Sequence, residues 1–379
     1  MISAQMTGHH THSLGTQRER EPEETLEWIL PIAPKLGITR LADVTWLDNL
    51  GIPVYLAHRP NGRSLTVWAG KGISPVHSKV SAIMEAIETL HAEEVRLPRH
   101  TESLGAMRPS LPYAVEDLDL AKPTMLNDDT LLEWIPARSV ITGDPSYVPL
   151  DAIDLDSTRY RPCPLFQATS SGLASGNTVA EATVHALCEL IERACEDDAL
   201  GTGSTTPRWI DTTTIPPGAS RDLLDIFDEH SNVVSVADIT NSVGVPAFFV
   251  RAWSPDHPMN SAGLGCHPDP GIALSRALTE AAQTRLVFLS SMRDDVPPEL
   301  YVFVRQHIFD LPPPQPEHTV PWPSVSFPVI DDFAEEARRL ARLIEAHTGH
   351  ACLVVDLQRD DIGVPVVRTV AAGMRFPER

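Results

Sequence analysis

Apolar residues recur with a helical period in several stretches of the chain, and carboxylates interrupt the apolar face in the longest of them. One such stretch runs from Ser170 to Asp198, where a segment rich in Gly and Ser leads into a helical pattern. Thr178 and Glu181 form a capping box, which predicts that the helix begins there. At about 100° per residue, Glu181, Glu189 and Glu192 fall on one stripe beside an apolar surface.

This stripe of glutamates needs an explanation. Burying like charges side by side is unfavourable unless a cation neutralises them. A surface helix with solvated glutamates and Arg193 as their partner is the simpler alternative. A second helix, predicted over residues 77–94, repeats the pattern because Ser81, Glu85 and Glu88 share one of its faces. Two such helices in one chain favour a function for the carboxylates.

Shorter patterns predict the remaining elements. Strands are predicted near residues 36–44, 51–57, 65–69, 131–135, 233–239, 245–252, 351–356 and 364–371. Further helices are predicted over residues 223–227, 272–289 and 332–347, with a turn cluster at 263–270 and a proline-rich excursion over 296–324. This alternation predicts an α/β fold with antiparallel strand pairs. Residues 1–24 are predicted to be a flexible tail and residues 25–379 a single domain.

Composition narrows the function classes. The 379 residues include 51 acidic and 30 basic side chains, a formal net charge of -21. This charge disfavours nucleic acid as a partner, since binding phosphates needs clustered Lys and Arg. No apolar run of about 18 residues and no signal peptide is visible, so we expect no membrane span. The five cysteines form no CxxC pair, which predicts a cytoplasmic protein with free thiols.

Several common catalytic motifs are missing from the sequence. It contains no GxSxG elbow, no HExxH zinc motif, no Walker P-loop and no dinucleotide fingerprint before a helix. What remains is carboxylates on helices, an arginine and turns of small residues. Hard oxygen ligands of this kind suit Mg²⁺ with a polyphosphate. The residues by themselves therefore predict an Mg²⁺-dependent nucleotide or phosphate enzyme.

Three longer motifs make the interpretation more specific. The pattern SxxxExxE is present as Ser81, Glu85 and Glu88. The pattern GLAxGNTxxEAxxHALxExxER spans Gly172–Arg193, and GxGCHPDPxxALxRALTEAAQxRL spans Gly263–Leu286. In this order and spacing the chain resembles the YcaO-domain family. The resemblance implies a YcaO-like α/β fold with mixed sheets, in which long helices frame an ATP site without a P-loop.

The resemblance also implies a set of site residues that bind ATP and Mg²⁺. The implied Mg²⁺ or phosphate-side ligands are Glu85, Glu88, Glu181, Glu189 and Glu192. The implied ATP-binding residues are Ser81, Asn177, Arg193, Glu280 and Gln283. No catalytic residue is assigned. The first motif of the family usually ends in Arg, and Thr89 stands in that place here, which puts one phosphate contact in doubt.

The implied reaction is the ATP-dependent phosphorylation of a backbone amide in a ribosomally made precursor peptide. Because a PxPxP ending and a fused recruiting domain are missing, we favour a thioamide or amidine product. The alternatives are an azoline-forming cyclodehydratase acting on Cys, Ser or Thr, a non-catalytic ATP- and peptide-binding scaffold, and an Mg²⁺ phosphatase or ligase unrelated to peptides. A TfuA-like or leader-binding partner protein is expected in some subclasses, and a homodimer is compatible with the sequence.

Overall fold

The computed structural model describes residues 11–13, 15–294, 296, 299, 312, 315–322, 327–328 and 330–377. The strands in this part of the chain are β1 (Thr11–Ser13), β2 (Thr16–Arg18), β3 (Arg40–Asp43), β4 (Val54–His58), β5 (Val67–Lys71), β6 (His100–Ser103), β7 (Leu131–Ser139), β8 (Pro145–Pro149), β9 (Leu173–Ser175), β10 (Arg208–Trp209), β11 (Val233–Asp238), β12 (Ala247–Ser254), β13 (His257–Cys266), β14 (Leu353–Asp356) and β15 (Val366–Val370). Most of the proline-rich stretch at 296–324 lies outside the described residues.

Side-chain caps mark the start of the three longest helices. The helices are α1 (Pro22–Ile29), α2 (Pro75–Glu93), α3 (Leu104–Met107), α4 (Val179–Glu196), α5 (Ala219–Glu229), α6 (Pro270–Ser290) and α7 (Phe333–Thr348). Ser74, Thr178 and Asp269 cap α2, α4 and α6 through their side-chain oxygens. Within the described residues, no helix combines the length and apolar character needed to cross a bilayer.

The described strands form four sheets in which every pair of named strands is antiparallel. Strands β3–β4–β5 form one sheet, β10–β11–β12–β13 another, and β1–β2 a short hairpin. The largest sheet has the order β6–β7–β14–β15–β9, with β8 paired to β7. Helix α2 packs on β5, α6 packs on β13, and α4 lies against β9 and β15. The α/β prediction is confirmed, and these three helices meet beside β5 and β9.

Two differences from the predicted elements affect the site. The boundary predicted at residue 24 falls inside α1, and Thr16–Arg18 already pairs in a hairpin. The turn cluster predicted from residue 263 was wrong at its start, since residues 263–266 belong to β13. The reason is that Gly263 and Gly265 let α6 approach this strand closely, a packing role that resembles a turn signal in the sequence.

We expect Gly263→Ala to destabilise the fold by about 3 kcal/mol, because an added methyl would overpack the β13–α6 contact. A Cβ at this position would lie 2.1 Å from the carbonyl oxygen of Ala277 and 2.4 Å from the backbone nitrogen of Ala281. Chemical denaturation measures the change. Gly143→Ala is the comparison, because Gly143 has open space and a φ of +75°, so only about 1 kcal/mol of backbone strain is expected there. Equal losses in the two variants would contradict the close-packing argument.

Candidate functional site

A cavity of about 740 Å³ lies where α2, α4, α6, β5 and β9 meet. All ten residues predicted for the site line it, although they come from three separate stretches of sequence. These residues are Ser81, Glu85, Glu88, Asn177, Glu181, Glu189, Glu192, Arg193, Glu280 and Gln283. The structure therefore brings the predicted set together, and the roles of its members stay predictions.

Helix α2 carries two carboxyl groups with raised pKa values. Burial raises the pKa of Glu85 to about 7, with the nearby Lys71 opposing the shift. Burial also raises the pKa of Glu88 to about 8, although the N–H and hydroxyl of Ser175 donate to its Oε1 at 2.8 and 2.6 Å. Both carboxyls favour their neutral form more than in water, because the opposing charges and hydrogen bonds do not fully offset their burial.

Helix α4 contributes the stripe of glutamates predicted from its sequence. The Thr178 hydroxyl oxygen accepts from the Glu181 N–H at 3.2 Å, which confirms one half of the predicted capping box. Glu192 is buried and accepts from the backbone N–H of Cys266 at 2.9 Å. Burial, followed by repulsion from Glu280, raises the pKa of Glu192. Keeping these buried carboxylates ionised therefore costs free energy, and a bound cation would offset that cost.

Helix α6 and strand β5 add opposite charges to the cavity. Lys71 forms an ion pair with Glu280, and the Gln283 amide donates to the carbonyl oxygen of Ala69. Burial favours the neutral form of Glu280, but the charges of Lys71 and Arg193 outweigh it and lower the pKa of Glu280. Glu280 is therefore ionised, and Lys71 occupies the position of its counter-ion.

The N-terminal segment supplies site residues that the sequence did not reveal. Arg18 pairs with Glu181 at 3.2 Å, and the backbone N–H of Glu19 donates to the other oxygen of the same carboxylate at 3.0 Å. The hydroxyl of Thr25 donates to Asn177 Oδ1 at 2.9 Å. A run of alternating charges before α1 is typical of a solvated tail, so nothing in the pattern indicated these contacts.

Thr89, where the family pattern has Arg, is engaged in the cavity wall. It accepts a hydrogen bond from the indole N–H of Trp68 at 2.8 Å and donates its own to the Glu85 carbonyl at 3.0 Å. Both polar groups are thereby satisfied inside the protein. Thr89 offers no positive charge to a phosphate, so other residues of the cavity must supply the cations that bind a phosphate ligand.

Cations and carboxylates are balanced around the cavity. Six carboxylates line it, namely Glu85, Glu88, Glu181, Glu189, Glu192 and Glu280. Six described cations line it as well, namely Arg18, Arg20, Lys71, Arg193, Arg276 and Arg293. This mixture suits a polyanion bound together with divalent cations, because the carboxylates hold the metal and the basic side chains hold the anion.

The donor set fits Mg²⁺, which prefers carboxylate oxygens and completes its shell with phosphate and water. Within the described part of the chain, however, no three His, Cys, Asp or Glu side chains already converge on one metal position. The partners named above explain this spacing, since Arg18, Lys71 and Ser175 each hold one carboxylate.

We expect Cys188→Ala to retain binding of a non-hydrolysable ATP analogue with Mg²⁺. Cys188 and Cys266 are buried, and burial raises the pKa of the Cys266 thiol well above its ordinary value. Burial likewise raises the pKa of Cys195 to about 12. The thiols of Cys195 and Cys266 are therefore inert because the thiolate is the reactive form, and Cys188 is packed in the core. Titration calorimetry measures the affinity, and a variant that binds the analogue but makes no product would contradict a purely structural role.

Comparison with known proteins identifies related chains. The sequence model described as YcaO cyclodehydratase, ATP- and Mg²⁺-binding, matches residues 69–375. An uncharacterised Mycobacterium tuberculosis protein is 33% identical over 375 residues, covering 96% of this chain and 83% of the relative. An uncharacterised Rhizobium leguminosarum bv. trifolii protein, encoded in the tfuA 3' region, is 36% identical over 304 residues, covering 74% and 69%.

Solved structures share the fold. The YcaO protein of Methanopyrus kandleri, bound with AMPPCP and Mg²⁺, superposes with a TM-score of 0.71 at 22% identity, covering 96% of this chain and 94% of that one. A heterocyclase in complex with substrate and cofactor superposes with a TM-score of 0.75 at 22% identity. That match covers 99% of this chain and 55% of the heterocyclase.

Proposed function

The chain belongs to the YcaO family, and from this premise we propose that it uses ATP to phosphorylate a backbone amide of a ribosomally made precursor peptide. The family description confirms the prediction of ATP and Mg²⁺. The proposed product is a thioamide or an amidine. An azoline formed from an adjacent Cys, Ser or Thr is the second candidate, because the matching family model is described as a cyclodehydratase.

The observation that carries the proposal is the cavity with six carboxylates and six cations. Burial raises the pKa of Glu85, Glu88 and Glu192. Ionising these groups in the metal-free protein therefore costs more free energy than it does in water. A non-catalytic scaffold that only bound ATP or a precursor peptide would have no need for so many buried charges. A site that handles a metal-bound triphosphate needs them, because charge must be offset on the transferring group.

The proposed step balances as a phosphoryl transfer. The amide oxygen attacks the terminal phosphorus of ATP, an oxygen–phosphorus bond forms, and the bond to the leaving ADP breaks. Lys71, Arg193 and Arg276 line the cavity and would hold the phosphate oxygens. When bound, Mg²⁺ supplies charge neutralisation on the phosphates. The activated carbon then accepts the nucleophile, and phosphate leaves with the former amide oxygen.

The nucleophile determines which product forms. External sulfide gives a thioamide, an amine gives an amidine, and a neighbouring Cys, Ser or Thr side chain gives an azoline. The relative encoded in the tfuA 3' region supports a TfuA-like partner protein. The precursor peptide is the second proposed partner.

Oxygen transfer tests the proposal directly. A precursor peptide taken from the gene neighbourhood and labelled with ¹⁸O at the target carbonyl is incubated with the protein, its partner protein, Mg²⁺ and ATP. We expect labelled phosphate, since direct attack of the amide oxygen on phosphorus transfers that atom, whereas hydrolysis takes oxygen from water. Mass spectrometry of phosphate and peptide measures both products.

The control is Glu85→Gln, which should remove label transfer and peptide modification together because Glu85 lines the cavity and is a proposed Mg²⁺ ligand. Unlabelled phosphate formed alongside modified peptide would refute amide phosphorylation. ATP turnover that does not depend on peptide would favour a phosphatase or ligase. Nucleotide binding without any turnover, even with both partners supplied, would favour the scaffold.

A further inference from the structure

The cavity continues beyond the carboxylates toward the C-terminal end of α2. From His77 to Thr89 it follows this helix for about 18 Å. Its last part, which we call the apolar end, is lined by Leu65, Trp68, Thr89 and Leu155. The N–H of Leu155 donates to the carbonyl of Ala92 at 3.1 Å, which places Leu155 beside the final turns of α2.

The polar groups in the wall of the apolar end are already hydrogen-bonded to other groups of the protein. The Trp68 indole N–H donates to Thr89, and the Thr89 hydroxyl donates to the Glu85 carbonyl. The N–H and hydroxyl of Ser64, at the same end, both donate to the buried Glu93 at 2.7 and 2.6 Å. Leu65, Trp68 and Leu155 therefore offer a ligand apolar surface, and the hydroxyls of Ser64 and Thr89 are already engaged within the protein.

The side chains that line the cavity differ between its two ends. At the opposite end the N-terminal segment covers the site, and Arg18 and Arg276 line it. That end suits the nucleotide, which carries several negative charges. Ser170 and Thr284, which also line the cavity, are exposed, so a peptide can reach the cavity from solvent. The carboxylates Glu85 and Glu88 lie between the two ends.

We propose that the apolar end binds an uncharged, apolar side chain of the peptide residue next to the activated amide. This inference rests on the proposed function, because it assumes that a backbone amide lies at the carboxylates. A peptide bound in this way would place its amide beside Glu85 and its neighbouring side chain against Leu65 and Leu155. Burial of that side chain selects apolar residues over glycine or charged residues.

The test uses the full chain with Mg²⁺ and AMPPCP, and two blocked amino acids as minimal amide probes. The probes are the N-acetyl N-methylamides of leucine and glycine, followed by saturation-transfer NMR. We expect the leucine probe to bind about tenfold more tightly than the glycine probe, since only leucine buries an apolar side chain. Equal affinities, or no binding of the leucine probe, would overturn the proposal.

Two variants localise the binding. Leu155→Trp fills the apolar end and should abolish binding of the leucine probe while AMPPCP affinity stays unchanged. Leu200→Trp, at an exposed position outside the cavity, is the matched control and should change neither. Leu65→Ala enlarges the same space, so it should improve binding of the blocked tryptophan amide even if Leu155→Trp fails to fold.

The outcomes separate this inference from the proposed function. If Leu155→Trp loses AMPPCP and keeps the leucine probe, the adenine ring occupies the apolar end and the inference is wrong. If Leu65→Ala gives the tryptophan amide no advantage, the side chain binds elsewhere and the inference is also wrong. Failure of the unmodified chain to bind AMPPCP with Mg²⁺ would instead refute the proposed function.

Discussion

Glu192→Gln is expected to lower the affinity for Mg²⁺ and AMPPCP at least about 100-fold, because a neutral amide cannot neutralise the metal. Glu192 is 4% exposed, and its backbone partner is the N–H of Cys266. The glutamine side chain retains an oxygen that accepts this hydrogen bond, so the fold should persist. Removing a buried charge should also raise the melting temperature of the metal-free protein.

Titration calorimetry and thermal unfolding measure these two effects. Glu189→Gln should weaken binding in the same way, since Glu189 belongs to the same stripe. Glu229→Gln, on α5 outside the cavity, is the control and should leave the affinity unchanged. An affinity for Glu192→Gln within a few-fold of the unmodified protein would make the stripe a purely structural feature.

A strong pH dependence is the second expected result, because Glu85 and Glu88 titrate near neutrality. Burial raises their pKa values from 4.5 to about 7 and about 8, and Mg²⁺ binds only the ionised form. Affinity for Mg²⁺ and AMPPCP should therefore rise as the pH increases toward about 8. Calorimetry at several pH values, with proton release measured in buffers of different ionisation enthalpy, tests this.

The free energy of unfolding of the metal-free protein should fall as the pH rises, whereas the affinity for Mg²⁺ increases. Between pH 4.5 and about 8 the native state holds more protons on Glu88 than the unfolded chain does. The free energy of unfolding contributed by this group is then fully present below pH 4.5 and is lost as the pH rises through about 8. Glu88→Gln does not titrate and should flatten this slope, whereas Glu229→Gln should keep it. Identical slopes in Glu88→Gln and the unmodified protein would contradict the raised pKa.

The site could be predicted from sequence where it lies on long helices. The helical period of α2, α4 and α6 fixes which carboxylates share a face, so Glu85, Glu181 and Glu280 could be placed before their neighbours were known. The capping box at Thr178 gave the start of α4 because a cap is a local hydrogen bond. The family motifs then joined three local patterns into one site.

The parts that escaped prediction depend on tertiary contacts. Arg18 lies 163 positions before Glu181, and no local pattern indicates which carboxylate it meets. Lys71 follows the strand predicted over residues 65–69, yet only the packing of β5 on α6 shows that its partner is Glu280. The sequence alone does not distinguish a glycine that allows close packing, such as Gly263 against α6, from a glycine that forms a turn. Both situations require a residue without a side chain.

The order of strands in the largest sheet has a consequence for synthesis on the ribosome. Strand β9 leads into Asn177 and α4, and it pairs with β15, which is made about 190 residues later. A growing chain cannot form this pair until Val366–Val370 has emerged, so the loop before α4 has no neighbouring strand until then. We therefore expect a nascent chain to acquire nucleotide binding only after Val366–Val370 has left the ribosome and paired with β9.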